Sequence, residues 1–61
     1  MSYYFQKNKD KPQRCEEDEL ISCFDFCIEA VKQRLLAFIS NEKRRQETFK
    51  FKQFTVRVWR V

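Results

Sequence analysis

From Leu20 to Ile39 the apolar positions recur at steps of mostly three and four: Leu20, Phe24, Cys27, Ile28, Val31, Leu35, Phe38 and Ile39. That is the period of one helix face. Ile21, Phe26 and Leu36 widen the stripe. The pattern predicts one long amphipathic helix over 16–46, with Ser40-Asn41 as a place where it can end or kink. Glu16, Glu17, Asp18 and Glu19 would sit at the positive end of its dipole. Lys43, Arg44 and Arg45 would sit at the negative end.

Beyond the helix the period changes to two. Thr48-Phe49-Lys50-Phe51-Lys52 alternates, and so does Phe54-Thr55-Val56-Arg57-Val58, but on the opposite parity. Residues 48–61 therefore read as one strand with a bulge at Lys52-Gln53, or as a tight hairpin. A hairpin would set Phe51 beside Phe54 and Phe49 beside Val56. The bulge is favoured, because Lys-Gln is a poor turn pair and the chain has no glycine. Residues 1–14 open with Tyr3, Tyr4 and Phe5, a brief strand or apolar plug, and continue as a polar, basic, partly flexible lead-in around Pro12.

These elements define an α+β fold within one small domain, 1–61: a long amphipathic helix on a small antiparallel sheet. The expected core is Leu20, Phe24, Cys27, Ile28, Val31, Leu35, Phe38, Phe54, Val56 and Val58. A helix of that length spans roughly 35 Å, and a strand over 48–61 roughly 46 Å. One of each does not close a core, and the strand leaves a row of amides without partners. Homodimerisation, with two such strands paired, is the expected remedy.

Composition narrows the function. The chain has no histidine, the commonest acid–base group, and without glycine it cannot form a Gly-rich phosphate loop. An enzyme is not expected. Cys15, Cys23 and Cys27 form C-x7-C-x3-C, three thiols where a structural zinc wants four ligands. No metal or cofactor is expected, and Cys27 reads as a small core residue. An odd thiol count without a leader pattern argues for a reducing, intracellular setting, cytoplasm or nucleus/nucleoid. Charges interrupt every apolar run, so no membrane span is expected.

The net charge of +4 hides a pattern: basic residues dominate both ends, and acids dominate the middle. Lys43, Arg44, Arg45, Lys50, Lys52, Arg57 and Arg60 are interleaved with aromatics, which suits phosphate neutralisation and base stacking. The first functional expectation is nevertheless a regulator or inhibitor acting through protein contact, with Phe26, Arg34 and Trp59 as anchors. Nucleic-acid binding through the basic segment is the alternative. A structural subunit of a larger assembly is the third.

Overall fold

The computed structural model describes residues 2–61; Met1 lies outside the described residues. Ser2–Lys7 forms β1 and Gln13–Glu16 forms β2. Two helices follow, α1 over Glu17–Cys23 and α2 over Glu29–Ser40. Gln46–Lys50 forms β3 and Thr55–Arg60 forms β4. The strands make one antiparallel sheet in the order β2-β1-β4-β3, so β1 and β4 lie at its centre. The architecture is α+β, with both helices on one face of the sheet.

Strand alternation sets that face. Tyr3 is opposite Cys15 on β2, Phe5 is opposite Val58 on β4, and Phe49 is opposite Val56. Tyr3, Phe49, Val56 and Val58 are buried against Leu20 and Phe24 of the first helical segment and Leu35 and Phe38 of the second. The rings interlock: Phe24 meets Phe49 at 4.9 Å and Phe5 at 6.0 Å, and Tyr3 meets Phe38 at 6.1 Å.

The single long helix is not formed. Phe24 leaves helical geometry, a series of short turns carries the chain through Asp25–Cys27, and Ile28 is extended (φ −69°, ψ 161°) before α2 begins. Size explains the break. Six-residue strands make a sheet roughly 20 Å long, and the twelve residues of α2 match it at roughly 18 Å. An unbroken helix would overhang the sheet with apolar residues in water. The break lets Leu20 and Phe24 pack beside Leu35 and Phe38 on one sheet face. Ile28, expected in the core, falls at the break and is 71% exposed. Cys27, Val31 and Phe54 are partly buried and pack against the core.

Both ends of the chain also differ from expectation. The lead-in is a hairpin: β1 and β2 pair across a turn in which Asn8 takes a left-handed φ of 56°. Asparagine tolerates that region better than most residues, so it does a glycine's work here. Its side chain also accepts a bond from the Thr55 amide at 3.0 Å, tying the turn to β4. At the other end the bulged strand is replaced by the hairpin, with Phe49 opposite Val56. The Phe51 amide donates to the Phe54 carbonyl at 2.9 Å, and the two rings lie 4.8 Å apart. Packing of these rings, with Phe26 6.0 Å from each, holds a turn that Lys52-Gln53 alone would not favour.

A single long strand would have needed a second copy to pair with. That strand is divided in two, and each half finds partners within the chain. Arg60 closes the remaining gap. Its guanidinium donates to the carbonyls of Phe38 at 2.7 Å and Asn41 at 2.9 Å, and its Nε donates to Arg44 at 2.9 Å. The last turn of α2 has no basic residue of its own. A positive charge from β4 therefore satisfies the orphan carbonyls at the negative end of that helix. The same guanidinium lies over the rings of Phe38, at 4.8 Å, and Tyr3, at 5.5 Å.

Candidate nucleic-acid interface

The face of the sheet turned away from the helices carries the alternate residues: Ser2, Tyr4 and Gln6 on β1, Arg57 and Trp59 on β4, and Arg14 on β2. Tyr4 is opposite Trp59 on one side and Arg14 on the other, and Arg57 stands between Gln6 and Thr48. No helix covers these residues. Tyr4 and Trp59, on the two central strands, are half-buried side by side, with ring centroids 5.6 Å apart and planes 31° apart. The Arg57 guanidinium lies over the indole at 4.7 Å.

One shallow depression borders Trp59, and a second lies beside it near Ser2 and Arg14. The first, of about 250 Å³, is lined by Arg45, Gln46, Arg57, Trp59 and Arg60. The other, of about 480 Å³, is bordered by Ser2, Arg14, Arg45, Glu42, Arg60 and Val61. Arg45, from the α2–β3 connection, belongs to both. Glu16 is held by the Ser2 hydroxyl, which donates to it at 3.0 Å, while Arg14 donates to that hydroxyl at 3.4 Å. Arg57 thus lies over the aromatic pair, Arg14 stands opposite Tyr4 on β2, and Arg45 shares a depression with Trp59.

The basic residues singled out in the sequence are divided among several places. Arg45 and Arg57 meet at the open face. Lys43 and Arg44 lie in the α2–β3 connection, where Arg44 pairs with Glu47 at 3.0 Å. Lys52 lines a groove on the helix side, and Lys50, on the strand parity of the open face, borders it from β3. Arg60 has its guanidinium inside the fold, committed to the end of α2. The three expected protein anchors separate as well: Phe26 and Arg34 line the helix-side groove, and Trp59 is on the open face. Tyr4 and Arg14 were absent from the expected site. Their signal was parity: once Tyr3 and Phe5 point inward, Tyr4 must point outward.

The thiols sit apart from this face in character. Burial is the main cause raising the Cys15 thiol above its ordinary value, and Cys23, Glu19 and Glu16 add to it. Burial likewise raises Cys23, helped by Glu19 and Asp25, and raises Cys27 against the opposing pull of Lys32. Such thiols stay protonated at neutral pH and make poor nucleophiles. Among the described residues no three His, Cys, Asp or Glu side chains gather to hold a metal ion. No helix there is long and apolar enough to cross a membrane.

Comparison with protein-family models, with curated proteins and with solved structures finds no match, so the reading of this face rests on its geometry.

Proposed function

We propose that this protein is a non-enzymatic binding module that holds single-stranded nucleic acid on the open face of its sheet. The observation that carries this reading is the Tyr4–Trp59 pair on the two central strands, with Arg57 over the indole, Arg14 opposite Tyr4 on β2 and Arg45 in the depression beside Trp59. Aromatic rings on an uncovered four-stranded sheet stack unpaired bases, and the surrounding cations neutralise phosphates. A duplex keeps its base faces stacked inside and offers them nothing. Selectivity for single strands follows from the rings, and affinity from the arginines.

Trp59 is the only tryptophan, so its fluorescence reports directly on the site. Titration with a single-stranded homopolymeric oligonucleotide should quench it, and a duplex of equal length should not. Three phosphate contacts imply that log K falls against log salt with a slope of roughly −2. Trp59→Ala should weaken binding by one lost stacking contact, about 1–3 kcal/mol. Binding that is absent, or that leaves the indole unquenched, would overturn this reading.

A second reading, a regulator acting through protein contact, is favoured by a separate observation. Phe26 is 64% exposed beside Arg34, on the opposite side of the molecule from Tyr4.

A further inference from the structure

We propose that the groove between α2 and the β3–β4 turn docks an acidic segment of a partner protein that carries an apolar anchor. The groove holds about 410 Å³, within the usual size of a ligand site, about 300–1,000 Å³. Its apolar lining is Phe26, Ile28, Val31 and Phe51. Two of these are the most exposed large apolar side chains described, Ile28 at 71% and Phe26 at 64%. Both lie in the break between the helices. The chain interrupts its helical stripe there and turns two large side chains outward. Phe26 is not loose: the rings of Phe51 and Phe54, each 6.0 Å away, hold it in place.

Charge identifies the occupant. The charged residues on the groove are cations: Arg34 and Lys52 line it, and Lys50, whose strand parity is that of the open face, borders it from β3. Arg34 already contacts Glu47 at 3.5 Å. Among the described residues Lys50 and Lys52 have no ion-pair partner. A ligand with carboxylates beside an aromatic or aliphatic anchor meets both halves of this surface.

A second copy of the chain fits badly. Two such grooves face to face would bring like charges together. The chain's own acidic run, Glu16–Glu19, offers no free anchor, because Leu20 is buried and Ile21 packs against the core. Strand addition at the middle of β3 is also hindered. The outward amide of Thr48 on β3 donates to the Glu47 carboxylate at 3.1 Å, and its carbonyl accepts from Arg34 at 3.2 Å. The partner must therefore bind by side chains set into the groove.

The test is selection from a displayed library of random short peptides, followed by amide NMR titration of the full chain with the enriched peptide. The expected consensus places Asp or Glu beside Phe, Trp or Leu, and the shifts fall on Phe26–Val31 and Phe49–Lys52. Phe26→Ser should weaken the peptide by about tenfold or more, and Lys52→Glu should weaken it too. Trp59→Ala should leave it unchanged, which separates this site from the open sheet face. All these positions except Trp59 are at the surface, and an unchanged amide spectrum elsewhere confirms that the variants fold. Three results would overturn the proposal: no enrichment or a basic consensus, self-association that Phe26→Ser removes, or an oligonucleotide that shifts the groove amides instead of those around Trp59.

Discussion

Arg57 and Arg60 are three residues apart on the same strand, and both lie over aromatic rings. Their roles are opposite. An odd spacing sends them to opposite faces of the sheet. Arg60 points under the helices and gives its hydrogen bonds to the end of α2. Arg57 points to the open side, where it lies over Trp59 and, among the described residues, has no ion-pair partner. A basic residue among aromatics can therefore be part of the scaffold or part of the site, and strand parity decides which.

Truncating each arginine in turn separates the two roles. Arg60→Ala should have the largest effect, because it strands several carbonyls at the end of a packed helix. A loss of about 3 kcal/mol is expected, or roughly 12–24 °C in Tm. Thermal unfolding reads it, and Arg60→Lys should recover only part of it, since an ammonium cannot reach the same carbonyls with a planar fork. Arg57→Ala should change stability by only about 0.5 kcal/mol, the value of an exposed cation–π contact. Its effect should appear in oligonucleotide binding, as a salt slope shallower by about 0.7. Equal destabilisation by the two substitutions would end the distinction.

The smallest effect concerns the buried face beneath β2. The Cys15 thiol is raised in the folded state, so the fold favours its protonated form. That contribution is complete below the ordinary thiol range, about pH 8.5. It declines as pH rises through the higher folded value. Stability measured by urea unfolding should fall on the alkaline side, and Cys15→Ala should flatten that limb. A limb unchanged by the substitution would show that Cys15 does not carry it.

Much of the fold was readable in advance. The three- and four-residue period marked Leu20, Phe24, Leu35 and Phe38, and all four are buried. The change of parity at Lys52-Gln53 marked a real event. What periodicity lacks is length in three dimensions. The apolar stripe runs through Phe24–Ile28 without interruption, and only the extent of the sheet shows that a straight helix would overrun it. Turn chemistry misled for a similar reason. Lys52-Gln53 is a weak local turn, held by ring contacts between Phe26, Phe51 and Phe54 that no local rule contains. The lysine-rich stretch around Pro12 hid a hairpin whose key residue, Asn8, works through its backbone φ. The open face was half visible. Trp59, Arg45 and Arg57 stood out by type, whereas Tyr4 and Arg14 needed the register of β1 to acquire a direction.

The two central strands of the sheet are also the two furthest apart along the chain. Tyr4 meets Trp59 only after a loop of about 55 residues has closed. Closing it costs entropy before any contact between β1 and β4 gives a return. Each hairpin has only one short helix to cover it until the other arrives, and a lone two-stranded ribbon is barely stable in water. The molecule is thus built to assemble in one cooperative step, and a chain cut anywhere between Lys7 and Thr55 should leave two pieces that fold only in each other's company.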